Sequence, residues 1–377
     1  MIFDVSSALY APMFRWKLGE VKSLAGLSGE FADRVLPIFA IPPGADFDWE
    51  ELKTFTATEH IRHFGKRLHD CWGSRPAFVD VHALEEERLI DELGIHPLTA
   101  LTERARLAGA NAFPLVMLGS SQATIAAAST FLSRHEQAMW CLRIKLAELD
   151  APGLRLRIQS MFGQINRDAS SCVLVLDAGP IRILDDGFID LLIDRLNELP
   201  FLESWSALFF SSAGFPEKRK LAVGEVGTFR RLDRELFEML LSRGGELIRQ
   251  PAYSDYGVEY PAKFVKGGGA AVAHLRFTSP THFLISQGPS TKGNGFLPIC
   301  DVAAILAKRE EFVHATRSSG KQFIEQLAVR AKTGNPSTWR WAANDHHISV
   351  VMMQIYADKG ISVSSVESVS HDQLTLV

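Results

Sequence analysis

Short apolar runs alternate with longer amphipathic segments along most of this chain. The runs begin near Tyr10, Val35, Ala77, Phe113, Met139, Cys172, Trp205 and Leu247. Most read apolar on both faces, as strands do when a parallel sheet is covered on each side. Between them lie helix-like stretches at Asp48–Cys71, Leu84–Leu93, Ser121–Leu132, Asp186–Leu199 and Leu236–Leu241. The stretch from Asp186 sets Ile189, Leu192, Ile193, Leu196 and Leu199 on one stripe and stops at Pro200. Eight such units in ~250 residues predict a (β/α)8 barrel. An open doubly wound sheet is the competing arrangement. It would carry a glycine-rich first crossover, and Lys17-Leu18-Gly19-Glu20 is no dinucleotide fingerprint.

The pattern changes after Tyr256. Gly267-Gly268-Gly269 reads as a turn, and Ala271–Thr278 and Thr281–Ser286 alternate like a hairpin around Ser279-Pro280. A helix is expected over Ser318–Arg330, broken at Gly334-Asn335-Pro336. A last helix is expected behind Asn344 or Asp345 as N-cap, running to Asp358. The expected organisation is therefore a barrel at 1–257, an α+β extension at 258–360 and a serine-rich tail at 361–377.

Composition narrows the function. The 377 residues include 40 Lys+Arg and 44 Asp+Glu, a net charge of −4, which argues against a polyanion binder held by bulk charge. Pro216–Arg234 and Lys308–Lys332 each hold six basic residues against three acids, which solvated helix faces explain. The four cysteines form no C-x-x-C pair, no apolar stretch approaches the ~20 residues of a membrane span, and Met1–Ser7 has no signal-peptide character. A cytoplasmic protein is expected.

Several motifs resemble the beta protein family of phages and bacterial genomes: Tyr10-x-Pro12 with Lys17-x-x-Glu20, Asp80 on the third strand, Tyr253-x-Asp255-Tyr256-Gly257, and Trp339-Arg340 followed by His346-His347. The resemblance spans most of the chain. It implies a setting in phage biology or bacterial defence against phage, and no settled reaction or cofactor. One departure stands out. The family leads us to expect an acid near the end of the second strand, where Ile38-Phe39-Ala40-Ile41 is wholly apolar.

Charged residues within barrel strands are costly unless paired or turned toward the polar mouth. With period two, Arg15 and Lys17 share a face, as do Asp80 and His82, and Arg143 and Lys145, while Asp177 ends an apolar run. The functional expectation is an anion site at the mouth. Lys17, Arg143, Lys145, Tyr256, Trp339 and Arg340 would bind a phosphate-bearing substrate, and Asp80, His82, Asp177 and Asp255 would move protons. The competing structural expectation is a buried network in which Arg143 bridges Asp80 and Asp177. No metal set is expected. As a second function class, the chain would be a non-catalytic binding or adaptor protein that recognises a phage or host macromolecule, such as a partner protein.

Overall fold

The computed structural model describes residues 4–44, 46–48, 52–261 and 272–362. Eight parallel strands close a barrel: β1 (Tyr10–Arg15), β2 (Ile38–Ala40), β3 (Pro76–Asp80), β4 (Asn111–Met117), β5 (Trp140–Lys145), β6 (Cys172–Pro180), β7 (Ala207–Ala213) and β8 (Ala252–Asp255). Closure comes from β1 against β8, with Tyr10 opposite Tyr253 and Pro12 opposite Asp255. The (β/α)8 expectation is met. Ala11, Met13, Ile38, Phe78, Leu115, Cys141, Val175 and Phe209 fill the interior. Alternate residues such as Tyr10, Phe39, Val79, Leu142, Leu174 and Tyr253 pack under the helices. The barrel is thus a packed core rather than a pore.

The helix expected over Asp48–Cys71 begins later, at Ala57. Thr56 and Glu59 form a reciprocal capping box that fixes the start, and Lys53–Phe55 pairs with Asp46–Asp48 as a two-stranded hairpin. A strand absent from the sequence reading, Val226–Arg230, leaves the barrel after β7. It pairs antiparallel with His282–Ser290, which in turn pairs with Val272–Thr278. Helix Pro298–Leu306 packs on this sheet, and helix Ser319–Ala328 packs on that helix and on the last one, Pro336–Asp358. The glycine turn at 267–269 and the tail beyond residue 362 lie outside the described residues.

The last helix corrects the sequence reading most. It starts at Pro336, capped by Asn335, and runs 23 residues to Asp358. Its first part gives Trp339, Trp341 and Ala342 to the core of the extension. Its second part gives Ile348, Val351, Met352, Ile355 and Tyr356 to the outer core of the barrel. Asn344 and Asp345 are therefore buried mid-helix residues, not caps. A polar quartet inside a helix resembles a start signal only when its partners on other elements are out of view. Asp345 accepts from Gly320 N at 2.6 Å, His346 Nε2 meets the Thr278 carbonyl at 2.9 Å, and His347 Nε2 meets Asp255 at 2.8 Å.

Burial pushes the Asp345 carboxyl up to about 6, against the hydrogen bonds from Gly320 and Ser318. An unfolded aspartate titrates near ~3.9, so the folded state holds this proton more tightly. The stabilisation is complete below about pH 4 and is lost as pH rises through about 6. Asp345→Asn keeps an acceptor for Gly320 and removes the charge. Urea denaturation should find it more stable than the parent above pH 7, by roughly 1–3 kcal/mol, with the difference shrinking toward pH 4.

Candidate functional site

At the C-terminal end of the barrel interior, the alternation that buries Phe78, Cys141 and Val175 also turns Asp80, Arg143 and Asp177 inward. Arg143 Nη1 donates to Asp80 at 2.9 Å. Its Nε and Nη2 donate to Asp177 at 3.1 and 2.6 Å, and Nη2 also donates to Tyr256 Oη at 2.8 Å. Tyr256 Oη donates to the other Asp177 oxygen at 2.8 Å. The remaining Asp80 oxygen accepts from His82 N at 2.8 Å, and Asp177 also accepts from Gly179 N at 2.9 Å. Burial alone would lower the pKa of Arg143, but Tyr256, Asp177 and Asp80 outweigh it and raise it. This is the geometry of the structural alternative. The guanidinium is wrapped by its own counter-ions, so it cannot also grip an anion without breaking a buried pair.

The other residues expected at the mouth are dispersed. His82 lies past the end of β3 and is exposed. It shares a cleft of about 160 Å³ with Asp80 and Ser121. Lys145 ends β5, is exposed and takes no part in the Arg143 network. Asp255 is corrected outright, because it has the parity of Tyr253 and points out of the barrel into the helix layer. There it accepts from Tyr10 Oη at 2.6 Å, Gly257 N at 2.9 Å and His347 Nε2 at 2.8 Å. Burial opposes its ionisation, yet His347 and these hydrogen bonds hold its carboxyl below the usual range. Among the described residues, no three His, Cys, Asp or Glu side chains group as a metal set.

Lys17, Trp339 and Arg340 do come together, beside the barrel rather than in its mouth. They line a cavity of about 230 Å³ between the start of helix Leu18–Ala25, strand Val272–Thr278 and the start of the last helix. Helix Leu18–Ala25 has Lys17 at its N-cap. A lysine offers no acceptor, so the first-turn N–H groups of Leu18 and Gly19 have no side-chain cap. Gly19 permits the close approach, since a Cβ there would stand 2.7 Å from the Ser337 carbonyl and 2.9 Å from Arg340 Cβ. Two helix N-termini therefore converge on one cavity.

Arg340 is fixed in an unusual way. Its Nη1 donates to Glu20 at 2.9 Å and also to Glu259. Its Nε and Nη2 carry no hydrogen bond to the described chain. Those two N–H groups share one edge of the guanidinium, the edge that pairs bidentately with two oxygens of a phosphate or carboxylate. Arg276 has Nε on His274 at 3.2 Å and Nη1 on Val258 O and Glu259 at 2.8 and 2.5 Å, which leaves Nη2 over. Burial works against Glu259 ionising, but Arg276, Arg340 and Arg15 hold its carboxyl well below the usual range. Burial, reinforced by Arg276, lowers His274 to about 3, so its ring is neutral.

Trp339 is more anchor than ligand platform. Its Nε1 donates to Thr333 O at 2.8 Å and its ring meets Phe296 edge-on. Sequence reasoning missed Arg276, His274 and Arg67 at this cavity. Only the shared face of His274 and Arg276, two residues apart on one strand, carried a signal.

The fold and cavity define a (β/α)8 barrel whose eighth βα connection carries an α+β insertion with a cationic pocket at the seam. The sequence model of the Beta protein family matches residues 10–353, so the chain belongs to that family. No curated protein matches the chain. No helix among the described residues is long and apolar enough to cross a membrane.

Removing Arg143 leaves two nearly buried carboxylates facing each other. Arg143→Ala should lower unfolding free energy by about 3–5 kcal/mol at neutral pH, as measured by chemical denaturation. A loss under 1 kcal/mol would show that the network contributes little.

Proposed function

We propose that this protein binds a phosphate-bearing ligand, a nucleotide or nucleic-acid end, in phage biology or antiviral defence, and that the phosphate sits in the seam cavity. The observation that carries this reading is the Nε/Nη2 edge of Arg340. Arg340 lines the cavity beside Lys17 and the uncapped first turn of Leu18–Ala25, and its Nη1 is held by Glu20 and Glu259, which do not line it. Such an edge is complementary to two phosphate oxygens, and the helix end adds N–H donors of the same sign.

Binding without turnover is the second reading. Asp80 and Asp177, the carboxylates expected to move protons, are engaged with Arg143, and Asp255 lies behind the barrel wall. Under the enzyme reading, the Asp80–His82 cleft is the nearest acid/base pair at the strand ends.

Calorimetric titration with inorganic phosphate and with a nucleoside monophosphate tests the location. Arg340→Lys keeps the charge and loses the fork, so affinity should fall about tenfold or more. Lys17→Met should also weaken binding. Lys145→Ala, at the mouth, should leave affinity within about twofold. Loss of binding in Lys145→Ala with none in Arg340→Lys would move the anion to the mouth and end this assignment.

A further inference from the structure

Strand Val226–Arg230 is one edge of the extension's sheet, and its single strand neighbour is His282–Ser290. Main-chain bonds just beyond its two ends fix its parity. Arg231 N donates to Thr281 O at 2.9 Å, and Glu225 O accepts from Gln287 N at 3.0 Å. Odd-numbered residues therefore bond inward, and Val226, Thr228 and Arg230 turn their N–H and C=O groups to the open side. Among the described residues, those main-chain groups have no hydrogen-bond partner.

The open side borders a cleft of about 590 Å³. Thr228, Phe229 and Arg230 all line it, although neighbours along a strand point to opposite faces, and no residue of His282–Ser290 does. A cleft placed in that way lies along the edge and not under one face of the sheet. Its other wall is the ends of β6 and β7 and the chain just past them, at 180–182 and 213–217. Sheets usually protect an open edge with lysine, proline, a bulge or a covering element. This strand has no lysine or proline and pairs without a bulge, and its one charge, Arg230, stands at its end and pairs with Glu235. The sheet's other edge strand, Val272–Thr278, is buried from Leu275 to Thr278.

We propose that Val226–Arg230 is a docking edge for an extended segment of a partner protein in which apolar residues alternate with aspartate or glutamate. This docking does not depend on the phosphate site. The edge offers donors and acceptors in equal number, as a peptide backbone does, whereas a nucleic-acid backbone is rich in acceptors and would leave the carbonyls unpaired. Because the barrel's strand ends form a second wall, a single strand added ~4.8 Å away fits more readily than the sheet of a second copy. Residues of the added strand in register with Phe229 share its face and land beside Phe215 and Tyr260, which suits apolar side chains. Residues in register with Arg230 lie on the exposed face, where acids are complementary. The surroundings carry an excess of positive charge: Arg182, Arg230 and the exposed run Lys218-Arg219-Lys220, against Glu217, Glu225 and Glu235. The pairs Arg182–Glu217 and Arg230–Glu235 lie at the surface, where exchange for a partner's acid costs little.

The test uses the intact protein and a short fluorescein-labelled peptide of alternating glutamate and valine, followed by fluorescence polarisation. The peptide should bind, and its lysine–valine counterpart should bind at least about tenfold more weakly. Thr228→Pro removes an N–H that the native sheet does not use, so the ladder survives, and peptide affinity should fall about tenfold. Lys218→Glu with Lys220→Glu, an exposed pair outside the ladder, should also weaken binding and keeps the test open if the proline variant does not fold. By NMR, amide exchange at Thr228 should be fast in the free protein and slowed by the peptide, with Phe229 slow throughout. No binding of the glutamate–valine peptide by folded protein, or equal affinity for folded Thr228→Pro and the parent, would overturn the proposal. Dimerisation of the parent that Thr228→Pro abolishes would give the edge to a second copy and overturn it too. Tighter binding of a short single-stranded oligonucleotide than of the peptide, lost in Thr228→Pro, would give the edge to nucleic acid with the same consequence.

Discussion

Arg340 sits between two carboxylates that are far apart in sequence: buried Glu20 after the first strand and half-buried Glu259 after the eighth. Burying either acid alone would be costly, and burying both beside each other more so. One guanidinium nitrogen answers both. That requirement sets how close the first turn of Leu18–Ala25 must come to the last helix, and Gly19 is where the backbones meet. It also joins the barrel to the extension through charge rather than through apolar packing alone. Because Nη1 is held by both carboxylates, the guanidinium is restrained where Arg340 lines the cavity, and its Nε/Nη2 edge carries no hydrogen bond to the described residues. A ligand that pairs with this edge would not have to order the side chain first.

The barrel was legible because strands buried on both faces have few ways to look other than apolar. Each of the eight runs contains or abuts an observed strand. The last helix was not legible for the opposite reason. It is buried nearly all round over Asn344–His347, so it has no polar face to mark its period, and the polar residues inside it read as a cap. Proline and asparagine at 335–336 were the true start signal, and they were read as a break. Val226–Arg230 was missed because an outer strand of mixed exposure shows no clean alternation.

The candidate site divided along the same line. Local parity placed Asp80, Arg143 and Asp177 on one inner face, and the ion-pair network follows from that parity. The same rule, applied to Asp255 through Tyr253, turns that carboxylate outward, away from the mouth. Tyr256 is one residue further on, so it points back in and completes the shell around Arg143. Arg276 and Arg340 could not be associated with Lys17 by any local rule. They meet only because two segments more than 200 residues downstream fold back onto the first βα turn.

An ion-pair network occupies the strand ends of this barrel. In most barrels the strand ends supply the site and an insertion covers it. Here Arg143 is shared between Asp80 and Asp177, one cation against two carboxylates, and the barrel's apolar layers lie directly beneath them. The insertion in the eighth βα connection creates a second polar surface instead, along its seam with the first. Its positive character does not register in a net charge of −4, because acids elsewhere outnumber it. Among the described residues its cations, Lys17, Arg67, Arg276 and Arg340, come from four segments, each of ordinary composition. The cavity belongs to the junction, so displacing the extension from the barrel would dismantle it without touching the barrel core.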